Sequence, residues 1–235
     1  MKSVVIFDLD GTLVKGQSQR LLLEYLFRKG IIGVRPCSRL YLWFILHRLG
    51  LANNPEKIMR YAFSLFSNWR ADIIEVLVKD FYHERLRSAI FSEARDLVAS
   101  HDPESCDILL VSNAFDAIVD RAAQHLGIRT AIGTRMERKG DRFTGRLDGD
   151  PVFGVNKSRI VREHVQRHNL SFMDSYAYGD SISDLPVLEM VANPVAVNPD
   201  RELTRIARQR GWRILRFNGT RRSQSVPACT DGLTG

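Results

Sequence analysis

Short apolar runs alternate along most of the chain with segments in which apolar residues recur at every third or fourth position. Residues 4–7 (VVIF) and 108–111 (ILLV) are uninterrupted apolar runs, which are typical of strands buried on both faces of a parallel sheet. Similar runs predict strands at residues 130–132, 175–178, 195–197 and 213–217, and a hairpin from residues 135–138 and 142–147. Helical patterns lie between them at residues 92–99, 115–126, 156–168, 183–191 and 200–210.

Residues 17–87 differ from the rest of the chain because they carry helical periodicity and no strand signal as strong as the first run. The alternation of strands and helices elsewhere predicts an α/β fold with a doubly wound parallel, Rossmann-like sheet. The helical block is predicted to be a cap inserted after the first strand. The predicted organisation is a core of residues 1–14 and 88–217, a helical cap of residues 15–87, and a flexible tail of residues 218–235.

The composition is that of a soluble globular protein and argues against general disorder. Of the 235 residues, 44% are hydrophobic and 26% are charged, and the net charge is +7. Three widely separated cysteines predict free thiols rather than disulfides or a zinc site. No apolar run is long enough for a secretory leader or a membrane span, which favours a cytoplasmic location.

Two carboxylates follow the first predicted strand directly. Asp8 and Asp10 are two positions apart, so their side chains are expected to lie on the same side of the chain. Ligands of open α/β sheets bind outside the carboxyl ends of the strands, and paired carboxylates there require a cation such as Mg²⁺. The alternative is a solvated acidic turn.

A second acidic group follows a later predicted strand. Asp180 comes directly after it, and Asp184 lies one helical turn further along. These residues are candidates to complete an oxygen-rich metal site with the first pair. The alternative is that Asp180 caps the following helix and Asp184 favours its positive end.

Polar residues at two predicted helix starts form candidate anion sites. Ser112 and Asn113 end the second strand just before a helix, where a hydroxyl and backbone N–H groups bind anions. Lys157 lies near the start of a later helix, an unfavourable place for a cation unless an anion is shared with it. The alternatives are an N-cap for Ser112 and an exposed surface lysine for Lys157.

Four motifs together resemble a known family. FDLDGTL at residues 7–13, VSNA at 111–114, Lys157 and YGDSISD at 178–184 occur in the order and spacing of the haloacid dehalogenase-like hydrolases. The resemblance is narrower to their phosphoserine-phosphatase-like branch (subfamily IB), whose members carry a helical C1-type cap between the first and second motifs. It covers the core, whereas the cap matches in position and helical character.

The resemblance implies a Mg²⁺-dependent phosphatase acting on a small phosphorylated metabolite, with no nucleic-acid partner. It implies that Asp8 is the nucleophile that takes the phosphoryl group, and that Asp10 first protonates the leaving alkoxide and then activates water. The implied metal-binding residues are Asp8, Asp10 (through its backbone carbonyl), Asp180 and, in support, Asp184. The implied phosphate-binding residues are Gly11, Ser112, Asn113 and Lys157.

The cap is expected to select the substrate. Phosphoserine phosphatases carry a glutamate nine residues after the nucleophile, where it binds the amino group of the substrate; this chain has Gln17 there, followed by Ser18. A neutral amide cannot supply that charge. Gln17 and Ser18 are therefore the candidate specificity residues, and phosphoserine is not the expected substrate.

Two alternative functions and the oligomeric state stay open at this stage. Residues 39–48 (RLYLWFILHR) are strongly apolar with basic ends, a pattern that suits a phospholipid-headgroup phosphatase with weak membrane-surface contact. The alternative is that this segment forms the core of the cap, through Tyr41, Trp43, Phe44 and Leu46. Arginines along the last predicted helix suit a catalytically silent basic binding module. They are Arg201, Arg205 and Arg208.

Overall fold

A computed structural model describes residues 1–48 and 55–218 of the chain. The strands are β1 (Ser3–Phe7), β2 (Cys106–Phe115), β3 (Thr130–Thr134), β4 (Met136–Lys139), β5 (Arg142–Leu147), β6 (Ser171–Gly179), β7 (Asn193–Val197) and β8 (Arg213–Leu215). The helices are α1 (Ser18–Arg28), α2 (Val34–Arg48), α3 (Pro55–Ser64), α4 (Ala71–Phe81), α5 (Arg87–Ala89), α6 (Ser92–Ala99), α7 (Asp116–Leu126), α8 (Gly154–Arg167), α9 (Leu185–Leu188) and α10 (Arg201–Gln209). A π-helical turn (Tyr82–Leu86) and a 3₁₀ turn (Ile182–Asp184) complete the described elements.

Six strands form one parallel sheet in the order β3-β2-β1-β6-β7-β8. The predicted α/β fold with a parallel Rossmann-like sheet is therefore confirmed. From β1 the strand order runs outward through β2 and β3 on one side and through β6, β7 and β8 on the other. This switch point lies between β1 and β6, so the carboxyl ends of these two central strands flank the crevice that the topology creates. The antiparallel pair β4–β5 stands apart as the predicted hairpin.

The sheet separates two apolar clusters because alternate strand residues point to opposite faces. Val5 and Phe7 of β1 face the larger cluster, while Val4 and Ile6 face the smaller one. The larger cluster continues without a break into buried residues of α1 to α4, such as Leu26. The inserted helices therefore share a core with one face of the sheet.

The β4–β5 hairpin is hydrogen-bonded to the segment between α3 and α4, a pairing that was not predicted from the sequence. Asn68 N–H donates to the Phe143 carbonyl (2.8 Å), Phe143 N–H to the Trp69 carbonyl (2.9 Å), and Ala71 N–H to the Asp141 carbonyl (2.8 Å). The segment after α3 thus pairs with one edge of β5, which fixes the position of the helices over the sheet.

Several element boundaries differ from the predicted ones. The predicted strand 108–111 continues to Phe115, and the predicted strand 213–217 ends at Leu215. The predicted helix 183–191 is a 3₁₀ turn followed by the single turn α9, where Pro186 lies in the first turn, a position at which its missing N–H costs nothing.

Three sequence predictions concern cysteines, the tail and the membrane. Cys37 is a free thiol, as predicted, and the Cys106 thiol donates to the Asp102 carbonyl (3.1 Å). Cys229 and residues 219–235 of the predicted tail lie outside the described residues. Within residues 1–48 and 55–218, no helix combines the length and apolar character needed to cross a bilayer.

Candidate active site

The carboxyl ends of β1, β2 and β6 open into a crevice of about 240 Å³. Asp8 follows β1, Asp180 follows β6, and Ser112 belongs to the last part of β2. Lys157 enters from the first turns of α8. All the predicted catalytic, metal-binding and phosphate-binding residues line this crevice: Asp8, Asp10, Gly11, Ser112, Asn113, Lys157, Asp180 and Asp184.

Lys157 joins two carboxylates at the floor of the crevice. Its Nζ lies 2.6 Å from Asp8 Oδ1 and 2.7 Å from Asp184 Oδ1, and all three side chains are buried. Burial by itself would lower the pKa of Lys157, but attraction to Asp184 and Asp8 outweighs it and raises the pKa. Lys157 therefore stays charged, and the structure excludes the surface-lysine alternative.

The carboxylates outnumber the cations at this floor. Burial raises the pKa of Asp8 to about 7 although Lys157 acts to lower it. Burial, together with the charges of Asp8 and Asp184, raises the pKa of Asp180 to about 9. Both shifts arise first from burial, and the excess of carboxylate charge over Lys157 adds to them.

A divalent cation fits this uncompensated charge. Asp8, Asp180 and Asp184 each offer a carboxylate oxygen, and these oxygens lie within 4.8 Å of one another. Asp8 Oδ2 is buried and has no hydrogen-bond partner among the described residues. Hard oxygen ligands at this spacing suit Mg²⁺.

Two glycines allow the carboxylates to approach the backbone. Gly11 has φ +82°, and a Cβ there would overlap the carboxylate of Asp180. A Cβ on Gly179 would lie 2.7 Å from the Cβ of Asp184. The glycine of the first motif is thus required by its backbone conformation and by the position of the acid from β6.

Asp10 is held by the first residue of α1. The Ser18 N–H donates to Asp10 Oδ1 (2.7 Å), and the Ser18 hydroxyl donates to Oδ2 (3.1 Å). Burial raises the pKa of Asp10 to about 6 despite these two bonds, which act to lower it. Ser18 is fully buried, and its side chain orients Asp10; its candidate role in selecting the substrate stays a prediction.

The polar end of β2 lies opposite these acids. Ser112 is buried, and its hydroxyl accepts a hydrogen bond from the Ala114 N–H (3.2 Å). The Asn113 carbonyl accepts from Gln19 Nε2 of α1 (3.2 Å). Because β2 continues to Phe115, the following helix begins only at Asp116, and Ser112 is not its N-cap.

The capping alternative for the second acidic group is correct only in part. Ser181, rather than Asp180, caps the 3₁₀ turn, where it forms a capping box with Asp184. Asp184 Oδ2 accepts from the Ser181 N–H (3.3 Å) while Oδ1 contacts Lys157. Asp184 therefore both stabilises the turn and neutralises the lysine.

Two residues after β7 support the site and were not predicted from the sequence. Asn198 Nδ2 donates to the Gly11 carbonyl (3.2 Å). Asp200 donates its N–H to the Asp180 carbonyl (2.8 Å) and accepts from the Ile182 N–H (3.0 Å). The sequence signal that could have indicated them is the run NPD at residues 198–200, which directly follows a predicted strand.

The walls of the crevice come from the inserted helices and the segment before α8. Gln17, the candidate specificity residue, lines the crevice. Trp43 and Phe44 line it from α2, and Phe153 lines it from the segment before α8. Tyr41 is 40% exposed, so the alternative that placed it in the core of the cap is wrong for this residue, whereas Phe44 does pack against the apolar cluster.

The comparisons agree with this geometry. A family model described as haloacid dehalogenase-like hydrolase matches residues 5–189. A probable phosphatase of Mycobacterium tuberculosis is 31% identical over 92% of this chain and 76% of its own length. A histidinol-phosphatase of Neisseria meningitidis is 29% identical over 92% of this chain and 100% of its own length.

Solved structures share the fold. A protein of unknown function from Bordetella pertussis Tohama I superposes with a TM-score of 0.83 at 26% identity, covering 92% of this chain and 98% of that one. A substrate-bound phosphoserine phosphatase superposes with a TM-score of 0.67 at 19% identity, covering 92% and 93%.

Proposed function

The chain belongs to the haloacid dehalogenase-like hydrolases, and we propose that, as a phosphatase of the phosphoserine-phosphatase-like branch, it hydrolyses a small phosphomonoester through an aspartyl-phosphate on Asp8. The observation that carries the proposal is the buried contact of Lys157 with Asp8 and Asp184, beside the acid Asp180. A buried carboxylate that a lysine holds at the end of a central strand is positioned for nucleophilic attack.

The reaction divides into two displacements. In the first, a carboxylate oxygen of Asp8 bonds to phosphorus, the bond from phosphorus to the ester oxygen breaks, and Asp10 gives its proton to the departing alkoxide. In the second, water attacks the acyl phosphate and gives a proton to Asp10, and phosphate leaves with Asp8 restored. A pKa of about 6 for Asp10 suits a group that must both give and take a proton near neutral pH.

Mg²⁺ is the cofactor that this site fits. The carboxylates of Asp8, Asp180 and Asp184, with the backbone carbonyl of Asp10, would hold it, and it would neutralise charge on the transferring phosphoryl group. Lys157 supplies the remaining fixed positive charge, while Ser112 and the backbone amides near Gly11 and Asn113 would bind phosphate oxygens.

The substrate is expected to be a small phosphorylated metabolite other than phosphoserine, in the cytoplasm. Gln17 lies in the crevice where an acidic residue would be needed to bind an amino group. A relative of similar length is named a histidinol-phosphatase, so phosphate esters of other alcohols are the first substrates to try. Neither relative described above is named for a lipid substrate.

The test measures phosphate release and covalent phosphorylation together. Wild-type protein with MgCl₂ should release phosphate from a panel of phosphomonoesters, and acid quenching should trap a phosphoryl group detectable by intact mass. Asp8→Asn should abolish both while keeping the melting temperature within a few degrees. Asp96→Asn, an exposed acid of α6, is the matched control and should keep full activity. Undiminished turnover in Asp8→Asn would contradict the assignment.

A further inference from the structure

Two aromatic side chains of α2 separate the crevice from a second cavity. Trp43 and Phe44 line both spaces, and Gln19 is the third residue that they share. The two rings meet edge to face, with centroids 5.5 Å apart and planes at 72°. The second cavity, about 70 Å³ in volume, lies among apolar residues such as Leu26, Met59 and Phe66. The crevice above the phosphate-binding floor is therefore bounded by an aromatic wall, and an apolar recess lies behind that wall.

The described walls above the floor carry no charged side chain. Their residues are Gly16, Gln17, Gln19, Trp43, Phe44, Val152, Phe153, Gly154, Ser181 and Ser183. The one described cation of the crevice, Lys157, is engaged by Asp8 and Asp184 at the floor. A carboxylate on the alcohol part of a substrate would therefore be desolvated without a described partner and would face four aspartates.

The neutral groups of the walls are also positioned by the fold. Gln19 is anchored by its bond to the Asn113 carbonyl (3.2 Å), which places its side chain between the floor and the aromatic wall. Phe44 packs against the apolar cluster that α2 shares with the sheet. A preorganised aromatic face binds a flat ring with little loss of side-chain entropy.

We propose that Trp43 and Phe44 bind a flat unsaturated ring carried by the alcohol part of the substrate, and that this alcohol has no carboxylate. The proposal rests on the proposed phosphatase function and deepens it by naming the substrate class. A crevice of about 240 Å³ with a recess of about 70 Å³ accommodates a phosphate group, a short linker and one ring, which favours a small ring-bearing alcohol over a nucleotide.

The test compares four phosphate esters that differ in their ring, amine and carboxylate groups. These probes are 2-phenylethyl phosphate (a ring without an amine), histidinol phosphate (a ring with an amine), phosphoethanolamine (an amine without a ring) and phosphoserine (an amine and a carboxylate without a ring). We expect kcat/KM to be at least about tenfold higher for the two ring-bearing esters than for phosphoethanolamine, with phosphoserine lowest. Equal kcat/KM for ring-bearing and ringless esters would overturn the proposal.

Variants locate the effect on α2. Trp43→Leu, which keeps bulk but removes the aromatic face, should raise KM for 2-phenylethyl phosphate about tenfold, leave its kcat within about twofold, and leave KM for phosphoethanolamine unchanged. Tyr41→Leu is the matched control, because this aromatic residue of the same helix is exposed and lines neither cavity. Equal changes in KM for both esters in Trp43→Leu would count against the wall as the ring site.

Binding to an inactive variant separates this proposal from the proposed function. Calorimetry with Asp8→Asn should give a Kd for 2-phenylethyl phosphate at least about tenfold below that for phosphoethanolamine. If no ester is hydrolysed by the wild type but this preference holds, the phosphatase assignment fails and the ring site stands. If esters are hydrolysed without any preference in Kd or KM, the ring site fails and the phosphatase assignment stands.

Discussion

His101 is a titratable group buried beside the larger apolar cluster, and it belongs to none of the four motifs. It is 1% exposed, its Nε2 lies 2.8 Å from the Tyr178 hydroxyl, and its Nδ1 has no hydrogen-bond partner among the described residues. The rings of Phe7 and Tyr176 lie beside it, with centroids 6.0 and 5.2 Å away. Burial in these surroundings lowers the pKa of His101 to about 4.

This shift makes the stability of the protein depend on pH in a calculable direction. The unfolded chain protonates His101 at its ordinary pKa of 6.5, whereas the native state excludes the proton until about pH 4. The neutral imidazole therefore contributes stability that is complete above pH 6.5 and is lost as the pH falls toward 4. At pH 5 the loss is about 2 kcal/mol, and below pH 4 it approaches about 3 kcal/mol.

Urea unfolding of the wild type and His101→Gln at pH 7.5 and pH 5 isolates this contribution. Glutamine keeps a polar group near Tyr178 but does not titrate, so the wild-type free energy of unfolding should fall by about 2 kcal/mol more than that of the variant. Tyr178→Phe, which removes the hydroxyl and keeps the imidazole, should be less stable at both pH values and retain the wild-type pH dependence. Equal pH dependence in the wild type and His101→Gln would refute the reasoning.

Two further predictions concern the metal-binding floor. Gly11→Ala and Gly16→Ala each place a side chain at a φ near +80°, at a cost of about 1 kcal/mol in stability. Only the Cβ at residue 11 overlaps Asp180, because Gly16 has open space around it. Urea unfolding with and without MgCl₂ should therefore show that Mg²⁺ stabilisation is lost in Gly11→Ala and kept in Gly16→Ala. Mg²⁺ at ten times its Kd should stabilise the wild type by about 1.4 kcal/mol, and Asp180→Asn should abolish most of this increment in the same assay. A full Mg²⁺ increment in either Gly11→Ala or Asp180→Asn would contradict the predicted ligand set.

The strands and the polar residues that follow them could be predicted because their signals are local. The run before Asp8 is apolar at every position, as both faces of the sheet are covered, and its end is marked by the first carboxylate. Parallel strands bring their carboxyl ends to one edge, so acids after β1 and β6 were expected to meet there. The contacts of Lys157 with Asp8 and Asp184 agree with that expectation.

The residues that position this chemistry could not be predicted because their partners are distant or lie in backbone groups. Ser18 resembles an ordinary residue at a helix start, yet its hydroxyl donates to Asp10. The pairing of Asn68 with Phe143 joins segments that are 75 residues apart and involves only backbone atoms. Periodicity assigns Trp43 and Phe44 to a helix, but which face of that helix meets the crevice depends on tertiary contacts.

The net charge of the whole chain is positive, whereas the charged residues of the site are mostly acidic. The net charge is +7, but the crevice holds four aspartates and one lysine, and burial raises the pKa of three of those acids. The exposed Arg201, Arg205 and Arg208 of α10 do not line the crevice. Burial disfavours the ionised form of each acid at the floor, whereas water screens the charges on the surface, so a cation bound locally would favour the ionised acids whatever the net charge of the chain. The fit of this floor to a metal therefore follows from burial, which only the fold determines.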